Sequence, residues 1–260
     1  MTVAQQYDQQ GYYIAKGLLA TKNVEATLGD LKKTFDDQLI FLKLAPQKTI
    51  HESMRLLHKH DLERYKKTVG ALWRKMSIYN LLHDVKIQQF VHDHFHWKDI
   101  IMPGGQVVLI MSDSLKIPNG YFGFAPHQDY PSVQGSLDGM VVWVPLVDVD
   151  RNRFPMEIIP GSHKKGILPS IESDTAAWVI KPEAYREQEF IPVECEVGDV
   201  VFMSNFLVHR SSVKGDDRLR VALSTRYDNA DEPIFVERTY PTAYLRSVHR
   251  ALMKDVKLLT

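Results

Sequence analysis

Cysteine is almost missing from this chain. Cys195 is the only one in 260 residues, which excludes an internal disulfide framework and suits a reducing compartment such as the cytoplasm. Long apolar runs are missing too. Stretches such as Val107 to Met111 fall far short of the roughly 20 residues that a membrane-spanning helix needs, so no membrane role is expected. The first residues, Met1-Thr2-Val3-Ala4-Gln5-Gln6-Tyr7-Asp8, carry neither the basic start nor the apolar segment of a secretory signal. No charge of one sign dominates, with 32 Lys and Arg against 32 Asp and Glu, so the electrostatic footprint of a nucleic-acid binder is lacking. Internal repeats, low-complexity tracts and flexible linkers are lacking as well. A single domain over 1–260 is expected, with a hydrophobic fraction of 44% that suffices for a substantial core.

What is present changes character along the chain. From about 20 to 97 the pattern is helical: Val24, Leu28, Leu31, Phe35 and Leu39 form one apolar stripe opposite Asp30, Lys33 and Asp37. Further helical patterning runs from His51 to about Phe90 with little Gly or Pro to interrupt it. Before both, Tyr12-Tyr13-Ile14 reads as an edge strand. From about 104 to 228 the chain turns to short β-branched runs, among them Val107–Met111, Met140–Val144, Met156–Ile159, Asp199–Met203 and Leu219–Leu223. Turn residues such as Pro160-Gly161-Ser162 and Lys214-Gly215-Asp216 separate them. Several short strands in a chain of this length predict a mainly β double-stranded β-helix, a cupin-like jelly roll with flanking helices. Tyr244, Val248, Ala251, Leu252 and Val256 predict a last helix over about 241–257.

Chemistry gathers at His127-Gln128-Asp129, with His209 and Arg220 following in order. Two imidazoles and one carboxylate on one face of iron(II) leave three coordination positions open, enough for a bidentate 2-oxo acid and then dioxygen. His127 and Asp129, two residues apart, would share one side of an extended segment. His209 follows the strand that contains Val200 to Met203 and would complete the triad. Arg220, eleven residues further, would lie on a strand pairing beside His209 and grip the remote carboxylate of the 2-oxo acid at two points. A His-x-Asp triplet alone says little, because such triplets arise by chance.

The surrounding motifs are more specific. Gly11-Tyr12-Tyr13, Gly17-Leu18-Leu19, His127-Gln128-Asp129, Trp143-Val144-Pro145-Leu146, Ile159-Pro160-Gly161-Ser162-His163-Lys164, Gly198-Asp199-Val200-Val201-Phe202, His209-Arg210-Ser211 and Arg220 occur in that order. This order resembles the phytanoyl-CoA dioxygenase family over nearly the whole chain. The resemblance implies that His127, Asp129 and His209 are catalytic iron(II) ligands, that Arg220 and Ser211 bind 2-oxoglutarate, and that Trp143 lines the site. It departs at Arg153-Phe154-Pro155, where the family usually carries an Asn-Gly turn. The implied activity is a 2-oxoglutarate-dependent non-haem iron dioxygenase consuming O2. Hydroxylation of an unactivated C–H bond in a small molecule would release succinate and CO2. Desaturation, cyclisation or epimerisation on the same cofactors remains open, as does an inactive jelly-roll binding protein. The stretch 44–97 carries nothing diagnostic of a substrate, and no motif in the sequence specifies an oligomeric state.

Several residues have plainer readings. Strand alternation puts Arg218, Arg220 and Arg226 on one face, so periodicity cannot choose among them; family spacing selects Arg220. His163 in the Pro-Gly-Ser-His turn reads as structural. His92-Asp93-His94-Phe95-His96 has the residues of a metal site but reads as a solvated helix end.

Overall fold

A computed structural model describes residues 1–118, 120, 122–171 and 179–243. Helices dominate its first third: α1 (Val3–Gln10), α2 (Thr21–Phe41), α3 (Ile50–His60), α4 (Leu62–Ala71), α5 (Met76–Leu82) and α6 (Val85–Phe95). Val24, Leu31, Phe35 and Leu39 of α2 are fully buried, as their spacing predicts. α1 buries none of its residues and so carries no periodic signal. A capping box starts it instead: Thr2 Oγ1 accepts from Gln5 N, and Gln5 Oε1 accepts from Thr2 N. The stretch 51–90 is four helices rather than one run. Two of its breaks lie at aspartates, not at Gly or Pro. Asp61 accepts from Arg64 N and Asp84 from Lys86 N, each starting a new helix.

β1 (Tyr12–Ala15) lies between α1 and α2, and ten further strands among the described residues follow α6, interleaved with two short helices: β2 (Ile100–Ile101), β3 (Val107–Met111), α7 (Tyr130–Val133), β4 (Met140–Pro145), β5 (Met156–Ile158), β6 (Ser170–Ile171), β7 (Val179–Ile180), β8 (Ile191–Val193), β9 (Val200–Ser204), β10 (His209–Ser211), β11 (Arg220–Asn229) and α8 (Pro233–Glu237). The large antiparallel sheet has the order β1-β9-β4-β11-β2, with β3 also on β11. β1 is the expected edge strand. The opposite layer consists of β10-β5-β8 and β6-β7, bridged where His127 pairs with both His209 and Val179. This is the expected jelly roll with flanking helices.

The two faces of the large sheet do different jobs. Val142, Val144, Val200, Phe202, Val221, Leu223 and Tyr227 pack with the helices. Leu109, Val141, Trp143, Val201, Met203 and Ala222 point the other way, toward the second layer. Period-two alternation assigns the faces, and burial on both sides explains why β4 reads as one unbroken apolar run. Arg220 lies on β11, which pairs with β3 and β4, whereas β10 with His209 pairs with β5. The expectation that Arg220's strand lies beside His209 is therefore wrong: the two residues face each other across the sandwich.

Two pairs of family-like motifs prove to be docking points. Gly11, at φ 81°, ends α1, and a side chain there would strike the His163 ring. His163 donates from Nε2 to Asp8 O at 2.9 Å, and Gly161 N donates to Gln10 O. Gly198, at φ 101°, accepts from Leu19 N, while Asp199 accepts from Gly17 N and from Lys16 Nζ. The departure at Arg153-Phe154-Pro155 is accommodated by Phe154 in a left-handed conformation, φ 48°, with its ring buried against Gly215 and edge-on to Phe122. Of the expected last helix, Tyr244, Val248, Ala251, Leu252 and Val256 lie outside the described residues. No helix among the described residues is long and apolar enough to cross a membrane.

Candidate metal centre

His127 and His209 are a directly opposed cross-strand pair. His127 N donates to His209 O at 3.0 Å and His209 N to His127 O at 3.1 Å. That exchange puts both side chains on one face of the layer, with ring centroids 4.1 Å apart. Each Nδ1 is committed to a carbonyl, Ala125 O at 2.8 Å for His127 and Leu207 O at 3.0 Å for His209. A carbonyl only accepts, so Nδ1 carries the proton and Nε2 keeps its lone pair. Burial pushes the His127 imidazole down, and burial plus the neighbouring His127 pushes His209 down to about 4. Both rings are thus neutral at physiological pH, the form a metal ligand needs.

Asp129 reaches the same point differently from the sequence expectation. Its backbone has turned helical, φ −77° and ψ −30°, immediately before α7, so His127 and Asp129 do not share one extended segment. Between them Gln128 points away from the site and is buried. Its amide donates to Gly166 O and Phe206 O and accepts from Leu168 N, and it clamps the loop from which both candidate ligands project. Asp129 Oδ1 accepts from Arg226 Nη2 at 2.8 Å. Its other oxygen, Oδ2, is buried with no hydrogen-bond partner, 3.4 Å from His209 Nε2. Burial alone would raise this carboxyl, but Arg226, His209 and His127 hold it well below the usual carboxylate range. An ionised oxygen without a donor, beside the lone pairs of two neutral imidazoles, is an unsatisfied arrangement that a cation would complete.

The ligand atoms of His127, Asp129 and His209 lie within 4.8 Å of one another, and they form the one such group of three among the described residues. Two imidazoles and a carboxylate suit iron(II). His92 and Asp93, in contrast, are exposed on α6. The cluster opens into a cavity of about 200 Å³. Val107, Leu109, Phe124, Val141, Trp143, Met156 and Met203 supply its apolar wall, and Ser211, Arg220, Ser224 and Arg226 its polar part. Arg220 is only 1% exposed, and Trp143 is buried on β4. Arg218 is not on the inward face: it precedes β11 and pairs with Asp150 and Asp216 at the surface. Arg226 does share the cavity. Sequence reading weighed it only as a rival of Arg220, whereas its position on β11 and its bond to Asp129 give it a separate place.

A jelly roll whose two layers enclose a His/Asp/His cluster and a buried arginine defines the class of cupin-like non-haem iron oxygenases. Within that class the chain belongs to the phytanoyl-CoA dioxygenase family, whose sequence profile matches residues 7–220. Mouse phytanoyl-CoA dioxygenase domain-containing protein 1 is 24% identical over 203 residues, 74% of this chain and 61% of that protein. The match thus spans about three-fifths of the mouse relative. The homologue from Dictyostelium discoideum is 21% identical over 89% of this chain and 92% of its own length. Among solved structures, the epimerase SnoN, in complex with Fe3+, alpha ketoglutarate and nogalamycin RO, superposes with a TM-score of 0.57 at 20% identity, covering 88% of this chain and 82% of that one.

Proposed function

We propose that the chain is an iron(II)- and 2-oxoglutarate-dependent dioxygenase that hydroxylates an unactivated C–H bond of a small molecule. The balance is substrate, O2 and 2-oxoglutarate to hydroxylated substrate, succinate and CO2. The observation that carries the reading is the unpartnered Asp129 Oδ2 beside two imidazoles whose Nδ1 protons are pinned to carbonyls. When bound, iron(II) supplies the activation of O2 coupled to oxidative decarboxylation of 2-oxoglutarate. The protein's own residues then have distinct tasks. His127 and His209 present Nε2, and Asp129 presents Oδ2 with a charge that offsets part of the metal's. Arg220, buried on the opposite layer, offers its planar fork to the far carboxylate of 2-oxoglutarate, and the Ser211 hydroxyl adds a contact. Trp143, Val141 and Leu109 exclude water from the space between, which strengthens each electrostatic contact. The cavity, about 200 Å³, is smaller than the roughly 300–1,000 Å³ of typical ligand pockets, so it suits 2-oxoglutarate and the reacting part of a small substrate.

A metabolite library tests the reading. One or more compounds should stimulate succinate formation in the presence of Fe(II) and O2, and the product should carry an added oxygen. Since the same fold houses an epimerase, a product of unchanged mass would keep the cofactors and correct the reaction type. Turnover of a substrate without O2 or 2-oxoglutarate would overturn the proposal.

A further inference from the structure

Arg226 has a task that neither metal ligation nor the grip on 2-oxoglutarate accounts for. Its Nη2 donates to Asp129 Oδ1 at 2.8 Å, while its Nη1 donates to Ser224 Oγ at 3.1 Å. Ser224 and Arg226 are two residues apart on the inward face of β11, and Arg226 is registered opposite Val141 of β4. The guanidinium is thus fixed by the sheet rather than by a loop. Asp129 is restrained from the other side, because its backbone caps α7 and Tyr130 N donates to Asn205 O. The carboxylate's two oxygens are unequal: Oδ1 accepts from Arg226 and Oδ2 is without a hydrogen-bond partner. We propose that Arg226 is a positioning residue that withholds Oδ1 from the metal, so that Asp129 acts through one oxygen and leaves a coordination position open for 2-oxoglutarate. This rests on the iron and 2-oxoglutarate reading given above.

The electrostatic sign separates this role from simple support. A guanidinium near a divalent ion repels it, so removing Arg226 relieves repulsion and frees a second carboxylate oxygen at once. Loss of a mere prop would instead weaken metal binding. The test uses Co(II) as the probe, with wild type, Arg226→Met, Arg226→Lys and Ser224→Ala, followed by calorimetry and visible absorption. In Arg226→Met, Co(II) should bind at least as tightly as in wild type. Its visible bands at saturation should shift, because a second carboxylate oxygen replaces a bound water, and 2-oxoglutarate should bind the Co(II)-loaded protein on the order of tenfold less tightly. Arg226→Lys keeps one donor and the charge and should restore much of both signals, and Ser224→Ala should shift them slightly in the same direction as methionine. Should Arg226→Met fail to fold, the lysine and alanine variants still decide, since both must show graded changes in the bands. Unchanged bands with 2-oxoglutarate affinity within about twofold of wild type would overturn the proposal, as would weaker Co(II) binding with unchanged bands. Failure of the wild-type protein to bind Co(II) at all would instead sink the underlying metal site, and the proposal with it.

Discussion

At the scale of single residues, two arginines on one strand face carry opposite assignments. Arg220 is buried in the cavity wall, and Arg226 is bonded to Asp129. Replacing Arg220 by Lys keeps charge but loses the two-point fork. Charge-assisted hydrogen bonds contribute about 1.5–3 kcal/mol, so affinity for 2-oxoglutarate should fall on the order of tenfold or more. Arg218→Lys should change it by less than about twofold, because that side chain is 45% exposed and paired with Asp150 and Asp216. Calorimetry on the metal-loaded variants checks both, and the reverse order of effects would reassign the grip. The family-like motifs name His127, Asp129, His209 and Arg220 as candidates, with Arg226 only as an alternative to Arg220; the geometry is not legible there. That His127 and His209 exchange backbone bonds depends on two segments 82 residues apart, and the point where β11 begins removes only Arg218 from the inward face.

At the scale of elements, the joints are more informative than the strands themselves. Continuous β-branched runs located β4, β9 and the first half of β11, because both faces of the large sheet are packed; periodicity did less well elsewhere. It missed α1, whose start is a polar cap without an apolar stripe, and the breaks between α3 and α6, two of which are set by aspartate caps. Asp228, near the end of β11, anchors another joint: its carboxylate accepts from Ser136 N and Oγ. Burial lifts this carboxyl to about 6 despite those bonds. An unfolded aspartate ionises near about 4, so the folded form holds its proton to higher pH. Its contribution to stability is therefore complete below about pH 4 and declines by roughly 1.4 kcal/mol per unit as pH rises to about 6. Denaturant unfolding of wild type and Asp228→Asn should show wild type losing ground to the variant across that window, with a constant difference above it. A difference that does not vary with pH would refute the raised carboxyl. The Phe154 corner gives a steric counterpart. A methyl at Gly215 would strike the buried Phe154 ring, so Gly215→Ala should cost about 1–3 kcal/mol of unfolding free energy.

For the whole molecule, the main apolar core and the candidate metal ligands occupy different sides of the large sheet. Phe35, Leu31 and Phe202 belong to the core between sheet and helices, whereas His209 faces the cavity. Stability and metal binding should therefore separate. Phe35→Ala should cost about 3–5 kcal/mol with the metal site retained, while His209→Ala should shift the thermal midpoint by less than about 4 °C, the equivalent of roughly 1 kcal/mol, and abolish tight Fe(II) binding. Anaerobic calorimetry of 2-oxoglutarate, with and without Fe(II), tests the central claim most directly. If Arg220 holds one end and the triad's metal the other, wild-type protein should bind one 2-oxoglutarate on the order of tenfold or more tightly when Fe(II) is present, since two anchored ends act as one multivalent contact. His209→Ala should lose that enhancement. Equal affinity for 2-oxoglutarate with and without Fe(II), or none in either case, would contradict the account.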